Sequence, residues 1–223
     1  PLEDTARVLS RFCDVLAIRT YAQQELMDYA KWSSIPVLNA LTDLEHPCQA
    51  LADFLTIKES FGVLNNLTLA YIGDGNNVAH SLMICGALLG VNVRIASPKG
   101  FEPLSGVLEH ARSLAVSGAR IEVMNDPSIA VRGAHALYTD VWASMGHEQE
   151  QIERKKKFLG FCLDQELVAK AEPRAIILHC LPAHRGEEIS HEVMESQSSR
   201  IFDQAENRLN VQQALLASIL DGL

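Results

Sequence analysis

The sequence contains no Cys-x-x-Cys pair. Its five cysteines, Cys13, Cys48, Cys85, Cys162 and Cys180, are odd in number and irregular in spacing. That pattern speaks against a zinc site or a redox dithiol and fits reduced thiols in a cytoplasmic protein. No apolar run is long enough to span a bilayer. No basic segment with an apolar run behind it stands near the start, so no signal peptide is visible. Positive charge is in deficit: 19 Lys and Arg against 28 Asp and Glu leave a formal charge of −9. A nucleic-acid surface needs the opposite sign, whereas a local basic pocket for an anion remains compatible. Internal repeats and low-complexity stretches are also missing. The first residue is Pro1 rather than Met, and helix-like sequence begins at once. This reads as the middle of a longer protein.

What is present is alternation. The 223 residues allow one large domain, or one domain and part of another. Apolar spacing predicts helix over 2–12, strand over 14–18, helix over 22–32 and strand over 35–39. A long helix follows from His46 to Phe61, with Pro47 in the first turn, where its missing N–H costs nothing. Then come a strand at 67–72, a glycine turn at 73–77, a helix at 78–90 and a strand at 91–96. The pattern repeats through helix 103–117, strand 119–123, helix 127–132 and strand 135–139. The run 147–158 is strongly charged and reads as a solvated helix, acid preceding base at helical spacing. A helix at 163–171, a buried strand over 175–178, and helices at 187–195 and 206–220 complete the chain. Such alternation implies parallel sheets with helices on both faces, an α/β fold.

Chemistry-bearing residues gather at the ends of these elements. Leu178-His179-Cys180-Leu181-Pro182 closes a buried strand, and Pro182 forces a turn. A His-Cys pair thus sits at a strand's carboxyl end, where open α/β sheets bind their ligands; the plainer alternative is a turn with a buried cysteine. Gly73-Asp74-Gly75 resembles the start of a dinucleotide fingerprint and raises an NAD-dependent oxidoreductase as the alternative. Against it, the third glycine position holds Val78, and the next strand ends Ala96-Ser97-Pro98-Lys99 without the acid that would hold ribose hydroxyls.

Five motifs occur in a specific order: His46-Pro47-Cys48-Gln49, Gly73-Asp74-Gly75-Asn76-Asn77, Asp140 with Ser144-Met145-Gly146, His179-Cys180-Leu181-Pro182, and Glu206-Asn207-Arg208. Together they resemble the ornithine carbamoyltransferases, over essentially the whole chain. His-Pro-x-Gln is shared with the aspartate carbamoyltransferases; the third and fourth motifs are of the ornithine type. The resemblance implies two α/β domains with parallel sheets flanked by helices. Residues 1–55 with the helix 206–223 would be the remnant of a carbamoyl-phosphate domain, and 56–205 an ornithine domain. The family's Ser-Thr-Arg-Thr phosphate motif has no counterpart here, so the first domain is expected to be incomplete, and 1–223 alone to have little activity.

The implied activity is transfer of a carbamoyl group from carbamoyl phosphate to the δ-amine of L-ornithine, in arginine biosynthesis or catabolism; another amine acceptor is the alternative within the superfamily. By resemblance, Arg19, His46 and Cys180 are catalytic. Arg19, His46, Gln49, Cys180, Leu181 and Arg208 bind carbamoyl phosphate, and Asn77, Asp140, Ser144 and Met145 bind ornithine. Taken singly, Asn77 also reads as a helix cap and Arg19 as a solvated charge. A thiolate at Cys180 beside the substrate ammonium would have a lowered pKa. The resemblance also implies no metal or organic cofactor, a homotrimer or a multiple of one, and closure of the two halves over the substrates.

Overall fold

The computed structural model describes residues 1–143 and 151–221. Among the described residues, seven strands lie in two parallel sheets. The smaller sheet pairs β1 (Leu16–Arg19) with β2 (Val37–Leu41), backed by α1 (Leu2–Leu9) and α2 (Gln23–Trp32). The larger one contains β3 (Thr68–Ile72), β4 (Asn92–Ala96), β5 (Ile121–Met124), β6 (Ala136–Thr139) and β7 (Ile176–His179), in the order β5-β4-β3-β6-β7. The chain therefore builds outward from β3 on one side, then returns to build outward on the other. The crevice above the carboxyl ends of β3 and β6 is the switch point of this topology, the place where such sheets bind ligands.

Every residue of β3, β6 and β7 is buried, as befits parallel strands covered on both faces. Successive side chains alternate between faces. Leu69, Tyr71 and Tyr138 pack with Phe54, Leu82 and Met83 of α3 (Pro47–Phe61) and α4 (Asn77–Leu89). Ala70, Ile72, Leu137 and Ile177 face Trp142, Phe158 and Leu163 on the other side.

Three local differences from the sequence reading have physical causes. The strand expected at 14–18 runs over 16–19, bringing Arg19 into the ladder opposite Leu41. The helix expected over 187–195 shrinks to α9 (His191–Met194), because Glu188 is wholly buried in the turn before it. The last helix, α10 (Ile201–Leu220), starts five residues earlier than its apolar stripe suggests. Its inner face is polar: Gln204 and Asn207 are buried against α3, with Asn207 Nδ2 donating to Thr56 Oγ1 (3.1 Å) and Glu59 Oε2 (2.6 Å). A search for hydrophobic periodicity cannot see such a face.

The charged run also departs from a purely solvated helix. In α7 (Gln151–Lys157), Arg154 is buried; its guanidinium donates to Asp74 Oδ2 at 2.7 Å and to the Trp142 carbonyl at 2.9 Å, and lies over the Phe101 ring.

Candidate active site

The crevice at the switch point opens into a cleft of about 570 Å³. Arg19, Thr42 and His46 line one side, Asp140 and Cys180 another, with Leu181 and Arg208 completing the wall.

The basic side comes from the smaller sheet and two helices. Arg19 ends β1 and Arg208 projects from α10. His46 occupies the N-cap position of α3, in a non-helical conformation, with Pro47 following at the first helical position. The unpaired N–H groups of that first turn and the helix dipole carry positive potential to the same place. His46 is buried, and its Nδ1 has no protein partner. Burial, reinforced by the charges of Arg208 and Arg19, pushes its imidazole down to about 4. At neutral pH the ring is therefore uncharged, with one N–H to give. Gln49 lies one turn further into α3, nearly inaccessible, with Nε2 donating to Asp53 Oδ1 at 2.8 Å.

The loop that carries His46 is held by one turn of α4. Asn77 Nδ2 donates to the Thr42 carbonyl (2.6 Å), the His46 backbone N–H donates to Ser81 Oγ (2.7 Å), and His80 Nδ1 meets the Leu44 carbonyl (2.8 Å). A carbonyl only accepts, so His80 carries its proton on Nδ1. Its Nε2 then accepts from the Leu104 N–H at 3.1 Å.

The acidic side centres on Asp140, just past the end of β6. Asn76 Nδ2 donates to its Oδ2 (2.8 Å); the Val141 N–H (2.8 Å) and the Cys180 thiol (3.0 Å) donate to its Oδ1. A lowered thiol pKa is the expectation from sequence. That expectation belongs to a thiolate facing the substrate ammonium; within the protein itself, burial and the Asp140 charge push the Cys180 thiol well above its usual range. Cys180 is here a protonated donor. The turn after it is held by a buried pair: His179 Nε2 meets Glu188 Oε1 at 3.2 Å, His179 Nδ1 accepts from the Leu181 N–H at 2.9 Å, and Glu188 also accepts from the His184 N–H. Leu181 adopts a left-handed backbone (φ +60°) and is followed by a cis bond to Pro182. Among the described residues, Asp140, His179 and Cys180 form one cluster of metal-type donors and His184, Glu187 and Glu188 another. In the first, both ring nitrogens of His179 are already engaged.

The structure thus gathers Arg19, His46, Asn77, Asp140, Cys180, Leu181 and Arg208 around one cleft, with Gln49 in the helix behind His46. Ser144 and Met145 lie outside the described residues. The cap of α4 is Asn76, whose Oδ1 accepts from the Val78 and Ala79 N–H groups, and not Asn77. Sequence reasoning missed Asn76, His80, Ser81, Asp53, Glu188 and Arg154. Three of them, His80, Ser81 and Asp53, sit three or four residues from a recognised motif residue on the same helix face, and that spacing was the available signal.

The glycine turn has its own explanation. A Cβ on Gly75 would lie 2.2 Å from the Pro103 backbone nitrogen, and the Gly75 N–H donates to the Phe101 carbonyl at 2.8 Å. The glycine serves close approach of the chain's own 101–103 segment, and Asp74 is paired with Arg154. These contacts account for Asp74 and Gly75 without a dinucleotide.

Residues 65–219 match the family model of the aspartate/ornithine carbamoyltransferase Asp/Orn-binding domain, and residues 1–59 that of its carbamoyl-P-binding domain. The chain belongs to the aspartate/ornithine carbamoyltransferase family. It is 75% identical to the ornithine carbamoyltransferase of Prochlorococcus marinus (strain MIT 9313), over all of this chain and 70% of that protein. Against the ornithine carbamoyltransferase structure from Pyrococcus furiosus the TM-score is 0.96 at 49% identity, covering 100% of this chain and 71% of that one. For the structure from Gloeobacter violaceus the values are 0.89 and 53%, covering 98% and 74%. The α/β architecture with parallel sheets is the one these relatives share.

Proposed function

We propose that this protein transfers the carbamoyl group of carbamoyl phosphate to the δ-amine of L-ornithine, giving L-citrulline and phosphate. The observation that carries the reading is the polarity of the cleft: Arg19, Arg208, neutral His46 and the start of α3 on one side, and Asp140 with Cys180 on the other. An anionic donor and a cationic amino acid are the pair of substrates such a cleft suits. The names borne by close relatives support the same assignment. Residues 1–55 with 206–223 serve carbamoyl phosphate in this reading, and 56–205 serve ornithine.

In the reaction the amine nitrogen attacks the carbamoyl carbon. A C–N bond forms, the bond from that carbon to the phosphate oxygen breaks, and phosphate leaves with the electron pair and takes up the proton that the attacking nitrogen sheds. A free alkylammonium has a pKa of roughly 10, so the δ-ammonium must first give up a proton. Negative charge gathers on the carbonyl oxygen and on the leaving phosphate, and aligned donors there lower the barrier. Arg19 reaches both groups, its planar fork suited to oxyanions. His46 donates its N–H to the carbonyl oxygen, and Arg208 closes the phosphate pocket. Gln49 accepts from the carbamoyl NH2, alongside Cys180 and Leu181. Asp140 takes the ornithine ammonium, with Asn77, Ser144 and Met145 completing that half. The thiol of Cys180 stands beside the reacting amine. Service in an arginine pathway, a cytoplasmic location and a trimeric assembly belong to the same reading and rest on the resemblance.

The test is a citrulline assay on protein expressed from its complete gene, beside Asp140→Asn. Wild type is expected to form citrulline from ornithine without NAD, and to prefer ornithine to aspartate and putrescine. Asp140→Asn is expected to lower kcat/KM for ornithine at least about 10-fold, the equivalent of 1.4 kcal/mol. An NADH-binding signal with no citrulline, or an unchanged kcat/KM in the variant, would defeat the proposal.

A further inference from the structure

Behind the cleft lies a carboxylate that the reaction above does not use. Asp53 stands one helical turn beyond Gln49 on α3 and has no exposed surface. Its Oδ1 accepts from Gln49 Nε2 at 2.8 Å and from Gln204 Nε2 at 2.6 Å. Gln204 Oε1 in turn accepts the backbone N–H of His179 at 2.9 Å. Gln204 is one turn before Arg208 on α10, and His179 immediately precedes Cys180. Three elements that carry site residues therefore converge on one carboxylate oxygen.

A glutamine amide has a donor end and an acceptor end of nearly equal size, and only its partners decide which way it faces. An ionised carboxylate can only accept, so Gln49 must turn its NH2 toward Asp53. Its carbonyl oxygen is left facing away, buried and without a protein partner. Buried acceptors are nearly always matched by a donor, and in carbamoyl phosphate the NH2 is the group with N–H donors to give.

We propose that Asp53 is the positioning residue for carbamoyl recognition. It fixes the polarity of the Gln49 amide so that an acceptor faces the carbamoyl NH2, and through Gln204 it ties the helix of Arg208 to the strand end of Cys180. The assignment rests on the carbamoyl-transfer reading above. Burial raises the Asp53 carboxyl to about 7, against the opposing pull of Gln49, Gln204, Tyr138 and Arg208; the Cys85 and Cys180 thiols also feel its charge. Protonation leaves the Gln49 polarity intact. Oδ2, which makes no hydrogen bond of normal length, can hold the proton while Oδ1 goes on accepting. Asparagine at this position can do the same, and leucine cannot.

The experiment compares wild type, Asp53→Leu, Asp53→Asn and Gln49→Ala, with the Gln49→Ala/Asp53→Leu double variant, in protein from the complete gene. Folding is checked by circular dichroism. Asp53→Leu is expected to raise KM for carbamoyl phosphate at least about 10-fold, with KM for ornithine changed less than about 3-fold. Asp53→Asn should stay within about 3-fold of wild type in both. In the Gln49→Ala background, Asp53→Leu should raise carbamoyl-phosphate KM by a clearly smaller factor than it does alone, because only the part of its effect that runs through Gln204 is left. Should Asp53→Leu fail to fold, Asp53→Ser, which keeps a small polar group but cannot reach Gln49, is held to the same criteria. Equal losses for both substrates, or an effect undiminished in the Gln49→Ala background, would make Asp53 a packing residue and overturn the assignment. So would an active wild type whose carbamoyl-phosphate KM ignores the substitution. A wild type that makes no citrulline at all would instead bring down the underlying reading.

Discussion

His46 and Asp53 stand two turns apart on α3, and burial moves them in opposite senses. His46 falls from 6.5 to about 4, so its contribution to stability is complete above pH 6.5 and is lost as pH drops through 4. Asp53 rises from 3.8 to about 7, so its contribution is complete below pH 3.8 and is lost as pH climbs through 7. Each is on the order of 3 kcal/mol. Between pH 4.5 and 6.5 the two oppose each other, and wild-type stability should vary little on their account. Urea denaturation across that window is expected to show His46→Asn losing stability with rising pH and Asp53→Asn gaining it. Slopes of the same sign in the two variants would contradict the burial assigned to one of them. Cys180 offers a second check at this scale. Because the thiol donates to Asp140, Cys180→Ala should keep the fold and raise ornithine KM about 10-fold, more than it raises carbamoyl-phosphate KM.

At the scale of elements, the glycine turn and α7 form one unit. Gly75 gives the 101–103 segment room, while Asp74 receives Arg154. Arg154→Leu would remove the buried ion pair with Asp74 and is expected to cost on the order of 3 kcal/mol, read as a fall in thermal midpoint. Gly75→Ala meets backbone that cannot swing aside and should cost about 3 kcal/mol or more. Neither partnership could be read from the sequence. Periodicity located nearly every helix and strand of the larger sheet, because strands buried on both faces are continuous apolar runs and turn residues punctuate them. It failed where polar side chains face inward: Arg154 within a charged run, Glu188 in the turn that shortened α9, and Gln204 and Asn207 on the hidden face of α10. The site was legible wherever a motif sits at an element end, as with His46, Asp140 and Cys180. Long-range polar pairs such as Asp53 with Gln204 leave no local signature, since 151 residues separate them.

For the whole molecule, the governing feature is how the smaller sheet joins the larger one. The chain crosses between them through α3, and α10 returns along α3 to bring Arg208 back to the cleft. At the base of that cleft Asn77, His80 and Ser81 hold the 42–46 loop with three hydrogen bonds from a single turn of α4. Because the three arise at positions i, i+3 and i+4, one inserted residue earlier in that turn would rotate all of them off the loop together. Their placement also fixes a distance. These three bonds, together with the Asp53–Gln204–His179 contacts deeper between the helices, set the spacing between the basic wall of the cleft and the strand ends that carry Asp140 and Cys180.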